Sequence, residues 1–236
     1  MRTATLAVIV AISSTAVFAQ SCPQPLASAR RLVLVTADDM NTPAARLQRF
    51  ARANASAPWR PDGAPTSALI GRNGIGWGYP FRALARPGEP VKVEGDRRAP
   101  AGIYVIGRPF GFAPSSRPGY LPIGEGMTCV YDLRSPAYNT VVSRTQIGPQ
   151  VHGENMSRVP QYRHGLLVDY PTSRSARGGS CIFIHLWMPH MTGTGGCVAL
   201  PEPQLVRLQY FTQGGAVLAI VPRGALDRFR GCLPNL

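Results

Sequence analysis

Short runs of β-branched and aromatic residues, separated by turns rich in glycine and proline, recur along most of the chain. Runs of this length and composition are typical of β-strands. We predict strands at residues 32–36, 66–70, 91–94, 103–106, 128–133, 140–142, 165–170, 181–184, 198–200 and 216–221. Because the chain has neither an internal repeat nor a break in composition, the pattern predicts a single, mainly β, sandwich-like domain with one or two short helices.

Three segments depart from this pattern. A helix is predicted from residue 201 onward, where Leu205, Leu208 and Phe211 fall on one side. Residues 42–59 fit either a helix or a hairpin, and the pattern alone leaves both open. Residues 107–126 carry several prolines and glycines, so we predict a long surface excursion, either a lid or groove wall or an ordinary loop.

A histidine and a cysteine lie beside two of the predicted strands. His185 directly follows the apolar run 181–184, and a glycine-rich turn presents Cys197 just before the run 198–200. An imidazole that accepts a thiol proton leaves a thiolate, which is the true nucleophile. The glycines allow close approach of a ligand and convergent N–H groups, as an oxyanion hole requires. The alternative is a small buried cysteine beside a structural histidine.

These residues belong to a longer pattern, Gly179-Ser180-Cys181-Ile182-Phe183-Ile184-His185-Leu186-Trp187 followed by Thr194-Gly195-Gly196-Cys197. The pattern resembles the YkuD-type L,D-transpeptidase catalytic domain, in the bacterial branch with Gly-Ser-Cys-Ile-Phe-x-His-x-Trp. Further motifs similar to the family are Gly71-Arg72-Asn73-Gly74, Glu94-Gly95-Asp96 through Pro100-Ala101-Gly102, Arg134-Ser135-Pro136-Ala137-Tyr138-Asn139 and Tyr162-Arg163-His164-Gly165. The resemblance covers about residues 32–221, implies the YkuD fold, and favours strands over a helix at residues 42–59.

The resemblance also implies a role for each site residue. Cys197 is the expected nucleophile, His185 its base, and the carbonyl of Leu186 the group that orients the imidazole. The N–H groups of Gly196 and Cys197 are the expected oxyanion donors. The implied thiolate attacks a peptide carbonyl at an L-centre, expels the adjoining D-residue, and passes the acyl group to an amine or to water.

Several residues are expected to contact the substrate. Trp187 could line the groove or be a core aromatic, and Thr194 belongs to the turn before the cysteine. Tyr138 and Asn139 could face the substrate, although turn formation explains Asn139 equally well.

The sequence departs from the family at two positions. Many members have a histidine where this chain has Gly195 and an arginine where it has Ala199. The side chain that would bind a substrate carboxylate is therefore missing there, and Arg163, Arg134 and Arg72 are the candidates to replace it. This departure leaves open whether the acyl group goes to an amine or to water.

The first nineteen residues have the features of a signal peptide: a positive start, a short apolar core and Val17-Phe18-Ala19 before Gln20. We therefore predict a signal peptide at 1–19 and a catalytic domain at 20–236, located in the periplasm. Cys22 raises a lipoprotein alternative, but the residues before it lack the expected leucine. No later apolar run reaches eighteen residues, so no membrane span is expected.

The chain is strongly basic, with 25 Lys and Arg residues against 12 Asp and Glu residues and a formal net charge of +13. Either genome composition or attraction to an anionic polymer explains this excess. For an exported protein the polymer would be cell-wall carboxylates or anionic lipid, and we expect no nucleic-acid partner. The expected partners are peptidoglycan stem peptides, as donor and acceptor, and the protein is expected to be a monomer.

Five cysteines in an exported chain predict disulfides. If Cys197 stays free, four cysteines remain and three pairings are possible. We favour Cys22–Cys232, because chain ends often lie close together, and Cys129–Cys181, because both flank strand-like runs.

The sequence thus predicts a periplasmic cysteine L,D-transpeptidase. An L,D-carboxypeptidase or wall-amide hydrolase with the same site, and a non-catalytic wall-binding module, remain as alternatives. No cofactor is expected. His190 together with the cysteines suggests a metal site, but zinc spacings such as Cys-x-x-Cys are absent, so no metal is predicted either.

Overall fold

Within residues 22–235, which the computed structural model describes, the chain forms fourteen strands and two α-helices. The strands are β1 (Arg31–Ala37), β2 (Ala44–Ala51), β3 (Arg60–Pro61), β4 (Thr66–Leu69), β5 (Ile75–Trp77), β6 (Ala99–Gly111), β7 (Leu121–Pro122), β8 (Met127–Val130), β9 (Val141–Ser143), β10 (Gly153–Asn155), β11 (His164–Asp169), β12 (Phe183–Leu186), β13 (Val198–Leu200) and β14 (Val217–Pro222). The helices are α1 (Arg144–Ile147) and α2 (Glu202–Phe211). The predicted signal peptide at 1–19 lies outside the described residues.

Eight strands form a closed barrel. Their order is β1-β14-β6-β11-β12-β13-β4-β2, and β2 pairs again with β1. The β1–β14 and β12–β13 pairs are parallel, whereas the other neighbours in the ring are antiparallel. The prediction of a mainly β protein with few helices is confirmed, but the main sheet closes on itself instead of splitting into two facing layers.

A second, three-stranded sheet has the order β10-β8-β9. The disulfide Cys129–Cys181 ties this small sheet to the segment that leads into β12, and Cys22–Cys232 ties the two ends of the described chain. Both predicted pairings are confirmed, and Cys197 is left as a free, buried thiol. Because the sulfur of Cys22 is engaged in a disulfide, it is not available for the thioether of a lipid anchor.

The sequence pattern allowed either a helix or a hairpin at residues 42–59, and the structure shows a hairpin. Residues 42–59 contain β2, which pairs antiparallel with β3 through Phe50–Pro61 and Ala51–Arg60, as a hairpin does. Helix α2 begins one residue after Pro201 and buries Leu205 and Leu208, as predicted.

Three predicted segments differ from the structure. The strand predicted at 181–184 is β12 at Phe183–Leu186, so His185 lies within the strand instead of after it. Residues 91–94 form no strand, because the Asp96 carboxylate accepts hydrogen bonds from the Val93 N–H and from Lys92 Nζ and folds this segment into a turn. The predicted excursion at 107–126 is shorter than expected, because β6 continues to Gly111 and the chain returns at β7 to pair with it.

No helix within residues 22–235 combines the length and the apolar character needed to cross a bilayer.

Candidate active site

Side chains alternate between two buried faces along β12 and β13, because successive residues of a strand point to opposite sides. Ile184 and Leu186 pack in the main core of the barrel, together with Val198 and Leu200 of the neighbouring strand. Phe183 belongs to a second apolar cluster, which also contains Cys197. The second cluster covers the opposite face of the two strands, under the small sheet.

The register of the two strands brings the histidine and the cysteine to this covered face. Strands β12 and β13 are parallel, with Ile184 opposite Val198 and His185 opposite Ala199. Cys197, one residue before β13, therefore lies beside Phe183, whose N–H donates to its sulfur at 3.4 Å. The tertiary structure thus brings together the two residues that the sequence had paired.

The imidazole of His185 is held in one orientation. Its Nδ1 lies 2.9 Å from the carbonyl oxygen of Leu186, which can only accept, so Nδ1 carries the proton. The Leu186 carbonyl therefore has the position that the family resemblance implied. The ring of Tyr162 packs against the imidazole with 5.6 Å between ring centroids. Burial lowers the pKa of His185 to about 4, so the ring is neutral at pH 7 and Nε2 is free to accept a proton.

The thiol of Cys197 is also neutral. Burial raises the pKa of Cys197 to about 12. The N–H of Phe183 opposes the rise, the negative charge of Glu154 adds to it, and the positive charge of Lys92 opposes it. The S–H donates to the carbonyl oxygen of Cys181 at 3.4 Å. The resting pair is therefore a thiol and a neutral imidazole, and a thiolate forms only when the proton leaves.

Thr194 braces the turn that carries the cysteine. Its hydroxyl donates to the Cys197 carbonyl at 2.7 Å and accepts from the Gly196 N–H at 3.1 Å. The Gly196 N–H, which the sequence assigned to the oxyanion hole, is thus already engaged. Within residues 22–235 no protein acceptor takes the N–H of Cys197, which leaves this group as the remaining main-chain oxyanion candidate.

The position of Cys181 is fixed by its backbone conformation, a hydrogen bond and a disulfide. Its backbone has a φ of 56°, its N–H donates to Asn139 Oδ1 at 3.0 Å, and its sulfur is bonded to Cys129. Asn139, with a φ of 62°, also donates from Nδ2 to the Tyr170 carbonyl. Asn139 therefore positions the carbonyl that receives the Cys197 thiol, and it does so from outside the cavity described next.

A cavity of about 430 Å³ opens beside the thiol and the imidazole. Cys197, His185 and Thr194 line it, and so do Arg72, Glu94 and Glu154. Of the three arginines that could replace the missing carboxylate-binding side chain, Arg72 is the one that lines this cavity. Within the described chain the Arg72 guanidinium has no acidic partner.

The other predicted substrate contacts lie elsewhere. Trp187 is partly exposed and is not part of the cavity wall. Tyr138 is buried behind the wall and donates its hydroxyl to Glu94. Arg163 pairs with Glu202 at the start of α2, with 2.8 Å between Nη2 and Oε2, and Arg134 pairs with Asp132.

Several residues of the cavity wall were not predicted from the sequence, among them Glu94, Glu154, Gln161 and Tyr162. Glu94 and Tyr162 stand in motifs that resemble the family, which was a usable signal. Glu154 lies in a polar stretch with no such signal, and only the pairing of β10 with β8 brings it opposite Cys129. His190 also reaches the wall, yet residues 22–235 contain no group of three or more His, Cys, Asp or Glu side chains placed to bind a metal ion.

Comparison of the chain with protein-family models, with curated proteins and with solved structures finds no match in any of the three.

Proposed function

We propose that this protein is a cysteine acyltransferase of the L,D-transpeptidase type, with the YkuD-like fold that the sequence motifs imply. The observation that carries the proposal is the placement of Cys197 and His185 on one face of two adjacent parallel strands, beside a shared cavity. The fixed Nδ1–H of His185 supports it further, because Nε2 is then available as the base.

The first half of the reaction follows from the neutral pair. As the substrate enters, the Cys197 S–H gives its proton to His185 Nε2, and the sulfur attacks the carbonyl carbon of the peptide bond between an L-centre and a D-residue. We assign the stabilisation of the oxyanion to the Cys197 N–H. The imidazolium then protonates the leaving amine, the C–N bond breaks, and a thioester on Cys197 remains.

The second half reverses these roles. An amine of a second stem peptide attacks the thioester carbonyl and gives its proton to His185 Nε2. The C–S bond breaks, and the proton returns to the sulfur as the new amide leaves. If water attacks in place of the amine, the same residues make a carboxypeptidase.

Arg72 is the residue that we assign to the substrate carboxylate. It lines the same cavity as the thiol and has no acidic partner within the described chain, whereas Arg163 and Arg134 are paired with acids. A guanidinium binds a carboxylate through two parallel hydrogen bonds, so Arg72 would fix one end of the substrate relative to the sulfur.

The proposed setting is the periplasm of a bacterial cell, with peptidoglycan stem peptides as donor and acceptor. The two disulfides support an oxidising compartment. We propose that the protein acts there as a monomer.

The test is incubation of the protein with disaccharide-tetrapeptide stems, beside the Cys197→Ala variant, with intact protein and products read by mass spectrometry. The proposal expects a stem adduct on Cys197 and cross-linked dimers, both lost in the variant. An adduct with only shortened stems would assign the protein to the hydrolases. No adduct and no product would contradict acyl transfer from these stems.

A further inference from the structure

Two carboxylates of the cavity wall stand without a cationic partner. Seven of the twelve acidic residues form ion pairs in this basic protein. Glu94 and Glu154 form none with any side chain of residues 22–235, although both line the cavity of the thiol. In a chain with 25 basic residues, unpaired acids beside the thiol leave negative charge available to a ligand.

Neutral hydroxyl groups hold both carboxylates in place. Glu94 Oε2 accepts from the Tyr138 hydroxyl and from Ser180 Oγ, the latter at 2.7 Å. Glu154 Oε2 accepts from the Tyr162 hydroxyl. These donors fix the orientation of the carboxylates but add no positive charge.

The buried ammonium of Lys92 pairs with Asp96 and not with these two carboxylates, although its charge reaches the thiol and opposes the rise in the pKa of Cys197. It is 2.5 Å from Asp96 Oδ1 and also donates to the Val93 carbonyl at 2.9 Å. The exposed fraction of Lys92 is 2%, so it does not face the cavity.

Two further acceptor atoms on the same wall point to a ligand with N–H groups. The Oε1 atom of Gln161 is buried and has no hydrogen-bond donor within the described chain. His185 is 95% buried, and its Nε2 has no protein partner among residues 22–235. An ammonium group carries three donors and no acceptor, which suits the acceptor atoms on this part of the wall.

We propose that Glu94 and Glu154 bind an ammonium group of the substrate and so determine which substrates the cavity accepts. The proposal rests on the acyl-transfer function argued above and extends it to the chemistry of the substrate. Because Arg72 lines the same cavity, the ligand class is a peptide with a free amino-acid group, which carries an ammonium and a carboxylate together. An N-acylated analogue would bury two carboxylates without a cation, which is costly.

The test uses the thiol itself as the reporter. Cys197 is treated with three methanethiosulfonates of similar size, one with an aminoethyl, one with a methyl and one with a sulfonatoethyl group. In each reaction the thiolate forms a disulfide with the reagent and methanesulfinate leaves. Rates are measured at low ionic strength and neutral pH, the site of reaction is checked by mass spectrometry, and a small free thiol gives the reference ratio.

The proposal expects the ratio of the cationic to the anionic rate to exceed the reference at least tenfold. The Glu94→Gln/Glu154→Gln double variant should bring the ratio to within about twofold of the reference. The rate of the neutral reagent should rise at the same time, because loss of the Glu154 charge lowers the pKa of Cys197, and the ratio of the two charged reagents cancels this rise. Glu125→Gln makes the same kind of charge change at an exposed position outside the cavity and should leave the ratio unchanged.

A ratio near the reference in the unmodified protein, or a ratio that the double variant does not lower, would overturn the proposal. A misfolded variant is recognised by its circular dichroism and its urea unfolding, and the single variants then decide, since each should lower the ratio in part. This readout needs no acyl donor, so failure of the stem-peptide assay and failure of this inference are separate results.

Discussion

Cys197 and His185 are uncharged in the resting protein because burial shifts their pKa values in opposite directions. Removal from water raises the pKa of the thiol and lowers the pKa of the imidazole, since each charged form loses hydration. A thiolate–imidazolium pair would need compensating charges, and the negative charge of Glu154 raises the pKa of Cys197 more than the positive charge of Lys92 lowers it. The proton transfer is therefore expected to accompany attack on the substrate.

Alkylation of Cys197 tests this neutral pair. The thiolate reacts with iodoacetamide, and with a thiol pKa of about 12 the thiolate fraction rises tenfold for each pH unit over the accessible range. We expect the logarithm of the rate constant to rise with a slope of about one from pH 6 to pH 9.5. A plateau in the neutral range would show a preformed thiolate instead.

Arg72 offers a second test at the residue scale. The Arg72→Gln change should raise the KM for a stem peptide roughly tenfold or more, because a charge-assisted pair with a carboxylate contributes about 1.5–3 kcal/mol. The iodoacetamide rate at Cys197 should change by less than about threefold. Arg134→Gln serves as the comparison, since Arg134 pairs with Asp132 away from the cavity, and an equal rise in KM for both variants would refute the assignment.

The turn between β12 and β13 is the element that delivers the nucleophile. Its glycines are not equivalent. A Cβ at Gly193 would lie 2.6 Å from Cα of Arg72, whereas a Cβ at Gly195 would meet no atom within 4 Å. Gly196 has a φ of 143°, so it requires glycine for its backbone conformation. The turn thus packs against the segment of Arg72 at one glycine and faces open space at another.

Matched alanine substitutions separate these two glycines. Gly193→Ala should lower the free energy of unfolding by about 1–3 kcal/mol, because the close contact is with backbone that must shift. Gly195→Ala should change it by less than about 0.5 kcal/mol. Urea unfolding of both variants measures the difference, and equal losses would mean that packing against Arg72 does not constrain the turn.

Closure of the barrel and two disulfides organise the molecule as a whole. Cys22–Cys232 joins residues 210 positions apart and ties the ends of the described chain. Cys129–Cys181 spans 52 positions and joins the small sheet to the strand of the histidine. The entropy of loop closure alone predicts that Cys22–Cys232 stabilises the fold by about 5 kcal/mol and Cys129–Cys181 by about 4 kcal/mol. Only Cys129–Cys181 contacts the site.

Two double variants distinguish these roles. Cys22→Ala/Cys232→Ala should lower the free energy of unfolding by about 2–5 kcal/mol and leave the alkylation rate of Cys197 unchanged. Cys129→Ala/Cys181→Ala should also destabilise the protein and, in addition, change that rate at least threefold, because the Cys181 carbonyl accepts the Cys197 thiol. Urea unfolding measures the stability of both variants, and alkylation at pH 8 measures the reactivity of Cys197. An unchanged rate in the second variant would show that the Cys129–Cys181 disulfide does not influence the site.

The sequence by itself predicted seven of the eight barrel strands, all except β2, and the candidate pair Cys197 and His185, and it favoured the observed one of three possible cysteine pairings. These features depend on local composition and spacing, which a linear pattern records: β-branched runs form strands, and glycine marks the turn before Cys197. The same local signals failed at residues 91–94, where the ion pair of buried Lys92 with Asp96, four residues further along, folds the chain into a turn and overrides strand preference.

Only the tertiary structure decided which residues share the cavity. Arg72 lines the cavity, whereas Arg163 and Arg134 do not. Asn139 and Tyr138 lie behind the wall, and Glu94 and Glu154 belong to it. The physical reason is that the cavity lies between the outer face of β12 and β13, the small sheet and the segment after β4. Barrel closure, strand register and a disulfide bring together elements that lie far apart in sequence. None of these three produces a periodic pattern of residues, so the sequence pattern does not predict the contacts.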